Sequence, residues 1–356
     1  MSDARERYVA LDLARGLAVV GMIYMHLVPT EGSASFAGHA WTAAARLLEG
    51  KSAALFCLLA GMAWQIQAER SSGSPYYRGY VLRRALALAL AGAVFHALVW
   101  PTEILLPLAL MMVLALWVRR AGPRATAALA VLLVAFAPLV PALLNGRIAA
   151  DWGPDGTPLA DSAPGWATVR YFLLDGSYPV VPWMAFPLVG MLMLGGGLPQ
   201  LARARRWFWI ALAVAIPAQI WVRWAGGHED SLGELAPFLL GTWVPTSVPF
   251  VLVAGGTAAA VVAGLVWLYR ARKLLTFVLP LAMFGRASLT HYILHICVVI
   301  VPLRLAWPEE DWPIRVGALA FAAYVAVALP LTVLWFRGRS HGPLEGAWAT
   351  VSGRAR

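Results

Sequence analysis

The stretch "LDLARGLAVVGMIYMH", residues 11–26, decides the fold. Its apolar run predicts a membrane helix, yet it carries Asp12, Arg15 and His26. An ion in the hydrocarbon costs from about 2.5 to more than 10 kcal/mol, depending on the scale. Three polar groups in one span therefore need a reason. At 100° per residue, positions eleven apart differ by about 20° around the axis and about 16 Å along it. Arg15 and His26 thus share a face, near opposite ends of the span. Asp12 lies three residues before Arg15, in place for an ion pair that offsets the guanidinium charge. A structural pair with a hydrogen-bonded core histidine stays open beside a functional reading.

The rest of the chain has the same character. Its 356 residues are 60% hydrophobic and 13% charged, with mean hydropathy +0.70. A soluble domain is about 25% charged, so this composition specifies an all-α polytopic membrane protein. A crossing helix needs roughly 20 apolar residues. Such runs fall at about 9–29, 52–68, 82–100, 103–119, 125–144, 181–201, 206–225, 246–269, 287–305 and 314–336, a bundle of about 10 transmembrane helices. The short apolar stretch 274–284 reads as a half-helix leading into the ninth span. "MSDARERY" precedes an apolar run too long for a signal peptide, so the first span is expected to stay in the mature protein.

The net charge is +10, but the arginines fall in small groups between apolar runs. That pattern is membrane topology, and it excludes a nucleic-acid-binding tract. Arg5 and Arg7; Arg70, Arg78, Arg83 and Arg84; Arg119, Arg120 and Arg124; Arg203, Arg205 and Arg206; and Arg270, Arg272 and Lys273 alternate with connectors that are acidic or sparse. The bias places both termini in the cytoplasm. The longest outer connector is roughly 145–180, and no repeat or second soluble domain is visible. One transmembrane domain over 1–348, with a tail at 349–356, is the expected organisation. Trp100, Trp183, Trp207, Trp209, Trp307 and Trp312 near span ends read as interfacial anchors, and Cys57 and Cys297 as buried thiols.

Ionisable residues inside spans are site candidates by default. The ninth span, "GRASLTHYILH", holds Arg286, His291 and His295, with the two histidines four apart on one face. No further zinc ligand accompanies them, so no metal is expected. His39 lies in "SFAGHAW", and Glu49 and Lys51 flank the second span. His96, His228 and His341 have weaker claims. Phosphate-binding glycine loops and the GxSxG elbow are missing.

These segments resemble the transmembrane acyltransferase superfamily, whose members open with LDxLRG and an apolar run. Arg15 and His26 match the ten-residue gap between arginine and histidine in its acyltransferase-3 branch. The heparan-α-glucosaminide N-acetyltransferase branch usually has Asn at the position of His26 and a catalytic histidine further on, which looks like His39 in "GHAW". "LEGKSAALFCLLAGM", "GSYPVVPWMAFPLVGMLMLG", "FGRASLTHYILH" and "HGPLEGAW" are similar to four further segments of its YeiB-like bacterial members. The chain departs from them with histidine at 291 in place of Asn and at 295 in place of Gln, and with Gly346 in place of the tryptophan of GPLEW.

The resemblance implies transfer of an acyl group, acetyl first, from acyl-CoA to an acceptor reached from the outer side of a bacterial plasma membrane. His39 would be the general base and His26 a partner that orients or polarises the thioester; an acyl-histidine route is open too. Arg15, Arg83, Arg84 and Arg286 would meet the CoA phosphates, and Lys51 or a second imidazole the developing oxyanion. His291 and His295 would line the substrate cavity. The implied partners are the bilayer, the CoA thioester and a carbohydrate or small-molecule acceptor, with oligomeric state open, a homodimer included. A carrier or flippase without covalent chemistry is the competing class, and an inactive receptor or scaffold a third.

Overall fold

The computed structural model describes residues 2–28, 36–71, 74–99, 102–136, 169–233, 236–244, 246–271, 278–308 and 312–353. Among them the longer helices are α1 (Ser2–Leu27), α2 (Phe36–Leu48), α3 (Lys51–Arg70), α4 (Tyr77–Leu98), α5 (Leu105–Val118), α6 (Gly122–Phe136), α7 (Ala185–Gly195) and α8 (Leu201–Gly226). There follow α9 (Val248–Arg270), α10 (Leu279–Arg286), α11 (Ser288–His295), α12 (Val301–Ala306), α13 (Ile314–Trp335) and α14 (Pro343–Ser352). No strand occurs among the described residues. Eight helical segments among them are long and apolar enough to cross a bilayer. The chain is an all-α, multi-pass membrane protein.

Eight is fewer than the ten expected, and two places account for the difference. The spans expected at 103–119 and 125–144 meet in one helical run, Leu105–Phe136, in which a short 3₁₀ turn at Arg119–Ala121 separates α5 from α6; residues 137–144 of the second lie outside the described residues. The span expected at 181–201 is a shorter apolar helical stretch, Val180–Gly195. Of the half-helix expected at 274–284, residues 279–284 lie in α10, and residues 274–277 lie outside the described residues.

The contacts divide the chain into two compact units, one of residues 1–56 and 264–351, the other of 57–263 and 352–356. In the first unit α1 is the central helix, with Ala14, Ala18, Val19, Ile23 and Leu27 fully enclosed. Helix α10 runs antiparallel to it. Leu281 lies against Gly16 and Gly285 against the Asp12 carbonyl, where a β-carbon would overlap backbone. Lipid offers no hydrophobic drive between helices, so such close backbone approach supplies the van der Waals contact that holds them. Ala287 (φ −104°, ψ 32°) then breaks the helix, and α11 returns along α1. Gly50, at φ 63°, makes the left-handed turn between α2 and α3, a conformation that glycine adopts without a β-carbon penalty.

In the second unit, α4 and α5 pack through Tyr80, Val81, Ala85 and Met112. The opposite face of α4 exposes Leu82, Leu86, Leu90, Val94 and Leu98, a stripe at four-residue spacing that suits lipid. Trp183 is no interfacial anchor: it is fully buried, and its indole N–H donates to Thr246 Oγ1 at 2.9 Å. In the first unit Trp312 is likewise buried, donating to the Leu27 carbonyl at 2.9 Å. In both, an internal acceptor satisfies the one polar atom, so the ring joins the core. Cys57 is buried as expected, whereas Cys297 is exposed.

Glu103 caps α5. Its carboxylate accepts the Leu106 N–H at 3.1 Å and the Leu105 N–H, and the residue is only 1% exposed. Burial pushes its carboxyl up to about 7, against the pull of the two amides. The resulting stability is fully present below the ordinary value of 4.5 and is lost as pH rises through about 7. The loss is on the order of 3 kcal/mol. The thermal midpoint is therefore expected to be higher at pH 5 than at pH 8, and Glu103→Gln to flatten that slope. Equal slopes in the two proteins would refute the assignment.

Candidate functional site

The site is built on α1 and the returning helix α11, both in the first unit. Near the start of α1, Arg15 donates to Asp12 Oδ1 at 2.7 Å, the i,i+3 pair that the spacing implies. One partner neutralises the other, which lowers the cost of both in an apolar span. His26 lies eleven residues further along the same helix.

His26 meets His295. Their rings stack with centroids 5.2 Å apart, and His26 Nδ1 is 2.9 Å from His295 Nε2. His295 Nδ1 is 2.8 Å from the His291 carbonyl. A carbonyl only accepts, so His295 Nδ1 carries the proton and donates. In the neutral ring His295 Nε2 then holds a lone pair and accepts the Nδ1–H of His26. The chain of bonds fixes the tautomer of His26 and makes Nε2 its basic nitrogen.

His291 stands behind this pair. The Thr332 hydroxyl donates to the Ala328 carbonyl at 2.7 Å, so Thr332 Oγ1 accepts from His291 Nε2–H at 2.8 Å. His291 Nδ1 accepts the Tyr324 hydroxyl at 3.0 Å. Phe284 stacks on the ring at 3.7 Å, nearly parallel. Both nitrogens of His291 are therefore engaged within the protein, and the residue holds its helix in place. The two histidines of the ninth span do share a face, as their spacing implies, with His291 supplying the carbonyl that orients His295. A π-helical stretch, Ile296–Ile300, begins immediately after His295. Among the described residues no group of three or more His, Cys, Asp or Glu could hold a metal ion.

The start of α11 is fixed from the chain's far end. Glu345 accepts the Leu289 N–H at 2.7 Å, the Thr290 N–H at 3.1 Å and the Thr290 hydroxyl at 2.6 Å. Thr290 Oγ1 in turn accepts the Leu344 N–H at 3.0 Å. A carboxylate here satisfies amides that no helical carbonyl can reach and complements the helix dipole. The glutamate of "GPLEGAW" is thus part of the scaffold beneath the histidines. Sequence reasoning passed over it, and over Tyr324 and Thr332. The available signal was two hydroxyls in the run 314–336, which beyond Arg315 at its start is otherwise apolar.

The remaining candidates are dispersed. Lys51 Nζ donates to the Arg46 carbonyl at 3.5 Å. Arg286 donates to the Ser340 carbonyl at 2.8 Å, and its guanidinium lies 4.3 Å from the centre of the Phe336 ring. Arg83 and Arg84 belong to the second unit. Arg83 donates to the Ser352 carbonyl at 3.1 Å and Arg84 to the Tyr80 hydroxyl at 2.6 Å. His39 falls in α2, and its side chain lies outside the described residues.

The chain is similar to known proteins over nearly its whole length. Residues 7–229 match the family model described as heparan-alpha-glucosaminide N-acetyltransferase, catalytic. Residues 197–354 match a second, described as a protein of unknown function (DUF418). The chain is 24% identical to uncharacterized protein YxaH of Bacillus subtilis (strain 168), over 98% of this chain and 94% of that one. It is 25% identical to uncharacterized protein YeiB of Escherichia coli (strain K12), over 98% and 97% respectively. No solved structure matches it. The first of these matches spans well over half of the chain, which therefore belongs to the heparan-alpha-glucosaminide N-acetyltransferase catalytic family.

Proposed function

We propose that this acyltransferase-like membrane protein moves an acyl group, acetyl first, from a CoA thioester to an amine or hydroxyl of an extracytoplasmic acceptor such as a sugar or glycan. The observation that carries the reading is the oriented pair His26–His295, with its basic nitrogen defined by the hydrogen-bond chain. Family membership supports the reaction class.

In the proposed reaction His26 Nε2 takes the proton from the attacking amine or hydroxyl as that atom bonds to the thioester carbonyl carbon. The carbon–sulfur bond then breaks, CoA leaves as its thiolate, and the proton held by the imidazole passes to the departing sulfur. His295 keeps the His26 ring in the right tautomer. The resemblance gives the base to His39 instead, and variants at the two positions separate the alternatives. In the first unit Arg15 and Arg286 are proposed contacts for the CoA phosphates and Lys51 for the oxyanion; Arg83 and Arg84, in the second unit, are proposed separately as contacts for an anionic donor. The arginine bias puts both termini on the cytoplasmic side of a bacterial plasma membrane.

The test is acceptor-dependent CoA release by the purified protein, given acetyl-CoA and a panel of amino sugars and glycans, with the acylated product identified by mass. No CoA release above the empty-membrane background for any acceptor would reject the reading. Substrate counterflow without acylated product would establish a carrier.

A further inference from the structure

The second unit contains a pocket that no candidate residue above occupies. It offers about 90 Å³ of space to water-sized groups and lies between α3, α4, α5 and α7. Its lining includes Arg78, Arg119 and Arg120, the rings of Trp64 and Tyr77, and buried Met112. All three arginines are exposed at the pocket, and no carboxylate is among the lining residues.

The placement of the charges is the informative part. Arg78 comes from α4 and Arg120 from the 3₁₀ turn after α5, yet their guanidinium carbons lie 5.9 and 5.5 Å from the centre of the same Trp117 ring. One indole thus holds two like charges together, with a third at Arg119 on the neighbouring residue. Each cation–π contact at an exposed site is weakly favourable, while crowded like charges repel. An anion in the pocket offsets that repulsion through its attraction to each charge, and guanidinium forks match phosphate oxygens in pairs. The size decides how much of the ligand enters. One water needs roughly 10–15 Å³ on this measure. The space therefore takes a phosphoryl group and part of what bears it, but not a whole cofactor. Trp64 and Tyr77 favour a flat or apolar portion next to the phosphate.

We propose that this pocket binds a phosphate ester through Arg78, Arg119 and Arg120, with the adjoining part of its carrier against Trp64 and Tyr77. Two sources share that chemistry, a soluble phosphorylated nucleotide such as CoA and the headgroup of an anionic phospholipid. The inference does not rest on the acyl-transfer reading, because it is tested by binding alone.

The experiment uses the full chain in two arms. In the first, protein in phosphatidylcholine nanodiscs is titrated with CoA by calorimetry at two salt concentrations. In the second, detergent-purified protein is mixed with phosphatidylglycerol or phosphatidylcholine, and retained lipid is read by native mass spectrometry. Arg119→Gln/Arg120→Gln is expected to weaken binding tenfold or more in the arm that is positive for the wild type, and salt to weaken it likewise. Ala115→Phe fills the pocket while leaving every charge in place, and it is expected to abolish binding. A positive CoA arm names the nucleotide as the source, and selective retention of phosphatidylglycerol names the lipid. If neither probe binds, or if binding is the same in the wild type and both variants, the proposal is overturned.

Discussion

His26→Ala is expected to lower acyl transfer by about 10²- to 10⁴-fold, the usual contribution of a positioned acid–base group. The loss should fall on kcat, with KM for the donor little changed, because the imidazole acts on the acceptor's proton. His295→Ala is the more discriminating variant. It leaves His26 in place but removes the acceptor that defines its tautomer, so a loss of about 10- to 100-fold is expected, smaller than the full acid–base contribution. His295→Gln returns a carbonyl oxygen able to accept the Nδ1–H, and it should recover most of the activity. A merely structural role would instead lower the yield of folded protein in proportion, without separating Ala from Gln. Wild-type turnover in His26→Ala, together with an inactive His39→Ala, would move the base to α2.

Gly285→Val is expected to prevent folding of the first unit. The obstacle is the Asp12 carbonyl, which is backbone of the helix at the unit's centre and cannot swing aside as a side chain would. Overpacking a tight core costs about 1–3 kcal/mol and sometimes more. Here the added bulk meets backbone, and α10 must leave α1. That shift would carry away Phe284 and its stack on His291, so the damage should spread to the histidines. Gly346→Ala supplies the control. A β-carbon there meets only His341 Cβ at ordinary van der Waals distance, 3.8 Å, and relief of unfolded-chain entropy should make the change neutral or stabilising by ~0.5–1 kcal/mol. Thermal unfolding of the purified variants separates the two, and equal midpoints would refute the close-approach argument.

Much of this fold can be read in the sequence, because the signals concerned are local. Apolar run length marked most of the spans, and the i,i+3 and i,i+4 spacings placed Asp12 beside Arg15 and put His291 on the same face as His295. The site was harder to read because it depends on contacts between distant segments. No periodicity brings His26 to His295; the reversal at Ala287 does so, and one residue's φ and ψ carry no hydropathy signature. Trp183 and Trp312 went astray for a related reason. Whether an indole faces lipid or core is set by an acceptor on another segment, Thr246 or the Leu27 carbonyl. The spans are least legible in Leu105–Phe136, where a 3₁₀ turn at Arg119–Ala121 divides one helical run into two helices, and in Val180–Gly195, an apolar helix shorter than a crossing.

The separation of 269 residues between His26 and His295 also sets an order of events during synthesis. At about 5–20 residues per second, the first span waits for tens of seconds before its histidine partner is made. Arg15 has no such wait, since Asp12 emerges from the ribosome just before it. The local ion pair can therefore steady the new helix as it enters the bilayer, while the imidazole pair must wait until the ninth span has been made. The cap by Glu345 comes later still, so the site can assemble only after that glutamate has followed His295 out of the ribosome.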